Sequence, residues 1–190
     1  PTPPVVAEVP ADVIPIGPPQ VKQLSWAKYD WTPGFQADTF VKTFAEAATA
    51  GHTKLAGNGA YVLMKTPETG LDATKLPNEA VVHFRLASAT AHLLPPAAWE
   101  KPQPVAVLGG NLMVDFSRTM FQTALAMQGT QIGYQSMNAS GVLLPTGAMQ
   151  ATAGDAALMG AITTDKQEAA YAFEKLLPAG ALRGVTLWGR

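Results

Sequence analysis

The sequence predicts an α+β domain, a mostly antiparallel sheet with about three packed helices, entered through an extended proline-rich arm. Three patterns carry that expectation. Prolines crowd the first twenty residues, apolar side chains recur at helical spacing in three later segments, and two-residue alternation marks strands between them. At 190 residues the chain suits one globular domain. We place the arm at residues 1–24 and the body at residues 25–190.

The arm, PTPPVVAEVPADVIPIGPPQ, opens with seven of the sixteen prolines and neither Lys nor Arg. Each proline fixes its own φ and drives the preceding residue towards extended backbone, so neither a helix nor a central strand fits. A flexible linker would be rich in Gly and Ser; here Val and Ile stand between the prolines, making the segment stiff and apolar. Such segments suit docking on a neighbouring chain, with Val5, Val6, Val9, Ile14 and Ile16 as the expected contacts.

The body begins with Trp26, Tyr29 and Trp31, an aromatic anchor ahead of the turn Thr32-Pro33-Gly34. Asp38 caps a first predicted helix that runs to Ala50, with Phe40, Val41, Phe44, Ala47 and Ala48 on one face and Gly51 closing it. Residues 52–108 read mainly as β. Asn58-Gly59 is a turn signal. Ala80–Ala87 alternates, with Val82, Phe84 and Leu86 on one face and His83 and Arg85 on a wet face. Val105–Leu108 reads as a short buried strand.

Gly109-Gly110 is then expected to turn the chain into its longest helix, Asn111 to Gln128, striped by Met113, Phe116, Met120, Ala124 and Met127. Thr164 and Gln167 have capping-box spacing for a last helix. Ala169, Ala170, Phe173, Leu176 and Leu177 face its core side, and Pro178 stops it. Gly184–Gly189 reads as a closing strand.

Composition narrows the function. Thirteen basic and fourteen acidic residues leave a net charge of -1, without the basic field that nucleic acid or anionic lipid attracts. Charged residues are only 14% of the chain, well under the roughly 25% usual for soluble domains. Cysteine is absent, which excludes disulfides, thiolate metal sites and thiol catalysis. No apolar run is long enough for a membrane-spanning helix. The chain starts at Pro1 rather than Met, which reads as removal of an initiator Met or a targeting peptide. Periplasm, cell envelope or a virion is favoured over the cytoplasm.

Between Arg118 and Asp155 there are 36 consecutive residues without a charge. Desolvating an amide or a hydroxyl costs less than desolvating Lys or Glu, so a polar, uncharged stretch suits a protein contact. Gln135 and Gln150 are its expected interface residues.

Catalytic constellations are hard to assemble. His52, His83 and His92 lack metal-ligand spacing, and neither metal nor cofactor is expected. Gly109, Gly110 and Asn111 would offer a weak anion site at a helix N-terminus. Asp115 and Arg118 read as an i, i+3 ion pair on the long helix. The favoured role is a non-enzymatic structural subunit of a multi-protein assembly, its arm docked on a neighbouring chain. The alternative is a small extracytoplasmic enzyme or ligand-binding protein, its pocket formed by the Gly109-Gly110 turn with His83 and Arg85.

Overall fold

A computed structural model of the chain describes residues 19, 21–28, 42–65, 80–97 and 100–190. The contact residues expected in the arm, from Val5 to Ile16, lie outside the described residues, as do Tyr29 and Trp31.

The described part is almost entirely β. In chain order it comprises β1 (Leu24–Lys28), β2 (Lys42–Thr43), α1 (Phe44–Thr49), β3 (Thr53–Gly57) and β4 (Tyr61–Lys65). Eight longer strands follow: β5 (Val81–Leu94), β6 (Gln103–Asp115), β7 (Met120–Gly129), β8 (Gly133–Leu143), β9 (Ala148–Gly154), β10 (Ala157–Ile162), β11 (Glu168–Leu177) and β12 (Gly180–Gly189).

β5 to β12 form a closed barrel in which each strand pairs antiparallel with the next and β12 returns to β5. Closure removes both sheet edges. Alternation fills the interior: Phe121, Leu125 and Met127 from β7 meet Met137 from β8, Tyr171 and Phe173 from β11, and Trp188 from β12. Eight strands leave a lumen just wide enough for such side chains, so it is a packed core. Tyr171 and Trp188 are fully buried with ring centres 5.8 Å apart. The Trp188 indole N–H donates to Thr186 Oγ1 at 2.7 Å, and the Tyr171 and Thr123 hydroxyls bond at 2.8 Å.

The smaller sheet, ordered β2-β1-β4-β3, lies on the outside of the barrel. Leu24, Trp26, Tyr61 and Leu63 pack on Ala170 and Val185, two outward positions of β11 and β12. Trp26 and Tyr61 meet edge to face at 5.5 Å, the favoured arrangement for two ring quadrupoles.

The α+β expectation is therefore overturned: the chain is a β-barrel with a flanking sheet. Residues 111–128, expected as the longest helix, are the end of β6, a tight turn and β7. Leu112 and Val114, then Phe121, Thr123, Leu125 and Met127, are buried at every second position. The turn is made by Asp115, whose Oδ1 accepts from the Ser117 N–H, the Ser117 hydroxyl and the Arg118 N–H, while Thr119 takes a left-handed φ of 53°. Asp115 and Arg118 remain neighbours, but across an exposed hairpin turn.

The last expected helix is β11. The capping-box residues Thr164 and Gln167 sit in the β10–β11 turn, where Lys166 has a φ of 56°. Ala169, Tyr171 and Phe173 face the lumen while Ala170 lies beneath the small sheet, so the strand is buried on both sides and reads as a continuous apolar run. Of the first expected helix, the described residues contain only Phe44–Thr49.

Candidate functional site

Two features of the barrel exterior stand out: the junction that holds the small sheet, and a wall away from it whose outward side chains along β7, β8 and β9 are uncharged.

The junction is built from polar groups at the rim of an apolar contact. Glu168, only 4% exposed, accepts three consecutive backbone N–H groups through its carboxylate: Lys22 at 2.7 Å, Gln23 at 2.7 Å and Leu24 at 3.0 Å. Charge-assisted bonds of this kind are among the stronger ones available to a backbone. Beside it, Asp165 Oδ2 accepts from the Gln23 side-chain amide at 2.6 Å. Partial burial opposes the Asp165 charge, yet the Thr163 hydroxyl, the Gln167 N–H and the Gln23 amide outweigh it and hold the carboxyl below its ordinary range.

A second tie is Asn58. Its Nδ2 donates to the carbonyls of Phe173 and Gly184, and its Oδ1 accepts from the Ala60 and Tyr61 N–H groups. The Tyr61 hydroxyl bonds to His92 Nδ1 on β5, and burial raises the Tyr61 phenol, keeping it protonated. His52 Nδ1 bonds to Ser25 Oγ at 3.0 Å. These two histidines therefore sit in structural hydrogen bonds. No group of three His, Asp or Glu converges among the described residues.

The wall is the outer face of β6 to β9; β10, next around the barrel, lies beside the small sheet, with Met159 near Gly57 and Asn58. The 36 uncharged residues of the sequence form β7, β8, β9 and their turns, a continuous piece of barrel. Register places its outward side chains in rows across the strands. Asn111, Ala124 and Asn138 form one row, and Met113, Gln122 and Ser140 the next. These rows border an open hollow of about 350 Å³ lined by Asn111, Gln122, Ala124, Asn138, Ser140 and Gly154.

At one end of the wall Met120 pairs with Val142, Val142 with Gln150 and Gln150 with Met159, giving an apolar row broken by one amide. Met120 and Met159 are 43% and 53% exposed. At the other end Tyr134 and Leu108 are 65% and 56% exposed. Charge enters at the β6–β7 turn and beside Asn138, whose backbone N–H donates to Asp155 Oδ1 at 2.9 Å. Asp115 and Arg118 close one corner, and Lys175 closes the other, donating to Asp155 Oδ2 and to the Ser136 carbonyl at 2.5 Å each.

Of the interface residues expected from sequence, Gln150 is exposed in the middle of the apolar row. Gln135 is half-buried at the barrel end, donating to the Ile132 carbonyl at 2.8 Å. Gly109, Gly110 and Asn111 lie inside β6, with a bulge at Leu108, so the helix N-terminus that motivated an anion site is replaced by strand. His83 and Arg85 lie along β5, His83 opposite Met113. Asn111 lines the hollow with residues of β7, β8 and β9 instead. The residues sequence reading missed are Asn58, Glu168, Asn138 and Ser140. Glu168 carried no signal, because its partners are backbone groups 144 to 146 residues away.

Fold and site define an eight-stranded up-and-down barrel with a clamped flanking sheet and an outer wall whose strands β7, β8 and β9 carry no charge. No protein-family model and no curated protein matches the chain. Among solved structures it is similar to a double mutant of the vaccine antigen transferrin binding protein B from Haemophilus parasuis Hp5. The identity is 11% and the TM-score 0.40, over 70% of this chain and 29% of that one. The chain thus spans less than a third of that protein, and the likeness is too slight to bear on function.

Proposed function

We propose that the chain is a non-enzymatic protein-binding subunit of a larger assembly, and that the outer wall of β6 to β9 is its contact face. The observation that supports this most is the absence of charge among the outward side chains of β7, β8 and β9, from Met120 to Gly154, with Met, Tyr and amide groups in their place. Interface centres are depleted of charge, and the wall shares that depletion, with its amides in the middle and its Met and Tyr towards the two ends. Among the described residues no helix is long and apolar enough to cross a membrane. The wall is also unlike a lipid-facing barrel surface, because Asn111, Gln122 and Asn138 would bring unpaired amides into hydrocarbon.

The arm belongs to the same reading. The Glu168 clamp fixes the backbone at Lys22–Leu24, where the proline-rich segment enters the body. Val5, Val6, Val9, Ile14 and Ile16 then reach a neighbouring chain from a defined point.

The test is photo-crosslinking in the cell that makes the protein, with a photoreactive residue placed in turn at Gln122, Gln150 and, as a control off the wall, Lys101. Capture of polypeptide at the two wall positions and not at Lys101 is the expected result. Equal or absent capture at all three would remove the wall as a contact face.

A further inference from the structure

We infer that Asn58 is a deamidation site guarded by the docked small sheet, so that opening of the junction becomes permanent once this amide is lost. The inference is independent of what the wall contacts. Asn58 and Gly59 are the chain's one Asn-Gly pair. Glycine has no Cβ to shield its backbone nitrogen, which leaves that nitrogen open to the preceding side chain. The Gly59 nitrogen, losing its proton, attacks Asn58 Cγ. A C–N bond forms, the Cγ–Nδ2 bond breaks, and Nδ2 leaves as ammonia with that proton. Water then opens the five-membered imide at either carbonyl, giving aspartate or, with the backbone rerouted through Cγ, isoaspartate.

The folded junction blocks the first step. Asn58 Nδ2 donates to the carbonyls of Phe173 at 2.7 Å and Gly184 at 2.9 Å, register partners on β11 and β12. Its Oδ1 accepts from the Ala60 N–H at 3.2 Å and the Tyr61 N–H at 2.9 Å. These bonds fix the amide plane, and ring closure requires the side chain to turn out of it onto the Gly59 nitrogen. The two Nδ2 bonds exist only while the small sheet lies on the barrel, so local opening removes the restraint.

The junction itself demands this reactive pair. Gly59 has a left-handed φ of 81°, and a Cβ there would stand 3.0 Å from Arg183 Nη1. Asn58 needs a short side chain that both donates twice and accepts twice, which an amide supplies and a hydroxyl or carboxylate does not. After deamidation an acceptor oxygen replaces Nδ2 opposite two carbonyl oxygens, and the junction loses both bonds. The Arg183 guanidinium beside the turn is already paired with Glu174 at 2.5 Å.

The test follows amide-to-acid conversion by mass spectrometry in mildly alkaline buffer. It compares the full chain, the full chain in urea, and Ala170→Lys, which places an ammonium beneath Trp26 and Tyr61. Asn111 and Asn138, followed by Leu112 and Ala139, serve as internal references. The expected result is an amide retained at Asn58 in the folded parent and lost at least about tenfold faster in Ala170→Lys and in urea, with Asn111 and Asn138 lagging in each. Asn58→Asp, made directly, should accelerate amide exchange at Lys22, Gln23 and Leu24 about tenfold while β7 and β8 stay protected. Equal conversion of Asn58 in the folded and opened chains, or none in urea, overturns the guarded site. Unchanged exchange in Asn58→Asp overturns its consequence for the junction.

Discussion

On β11 and β12 the outward positions Ala170, Val185 and Leu187 are apolar and lie beneath the small sheet; on β6 to β8 the outward positions include Asn111, Gln122 and Asn138, and these are exposed. Both flanks come from the same alternation, with one face of each strand filling the same lumen. The difference lies in what each outer face has to match. The covered flank meets a sheet of its own chain, always present, and a dry contact suffices. The bare flank is stable in water yet carries nothing as costly to desolvate as a charge. An outer barrel face can thus be sealed by its own chain or left in water, and its side chains differ accordingly.

The largest test of this contrast places the same charge on both flanks. Ala170→Lys would put an ammonium under Trp26 and Tyr61 and should cost about 3 kcal/mol or more, separating the small sheet from the barrel. Ala124→Lys on the wall should change the stability of the monomer by less than about 0.5 kcal/mol. Urea unfolding followed by tryptophan fluorescence measures both. Equal losses would erase the distinction between the flanks.

A smaller effect is expected at the clamp. Glu168→Gln replaces one carboxylate oxygen with a donor and leaves buried N–H groups unmatched, at about 2 kcal/mol. Amide exchange at Lys22, Gln23 and Leu24 should accelerate while β7 and β8 stay protected. Unchanged exchange at those three amides would mean that apolar packing alone holds the sheet.

The smallest effect is acid sensitivity. The Asp165 carboxyl is held below its ordinary range in the folded chain, so its contribution is fully present above the unfolded value, near 3.9. That contribution is lost as pH falls through the folded value. Asp165 is solvent-exposed, so screening keeps the contribution below about 1 kcal/mol. Asp165→Asn should flatten the stability profile on the acid side of pH 4 and lower stability at pH 7 by up to about 1 kcal/mol. A profile identical to that of the parent chain would assign the acid response to other carboxylates.

Several parts of this contrast were legible in the residues themselves. The run without charge between Arg118 and Asp155 is the bare wall, and the alternation around His83 and Arg85 belongs to β5. Helix was misread where strands are buried on both sides. In Ala169–Phe173 the lumen and the small sheet take alternate residues, so an almost continuous apolar segment satisfies a 3.6-residue period as well as a two-residue one. At residues 111–128 the deciding signal was Asp115-Phe116-Ser117-Arg118, where Asp followed two residues later by Ser can fold back on its own backbone. The clamp was invisible because a carboxylate gathering distant backbone donors leaves no pattern of side chains.

That clamp also sets how the molecule bears load. Tension arriving along the chain ahead of Lys22 meets Glu168 before it reaches the ladder joining β1 to β4. Three bonds to successive residues share the pull and hand it to the β10–β11 turn, hence to a ring of strands closed on itself. Force applied to the arm is therefore carried by the barrel, and the small sheet beside it is spared.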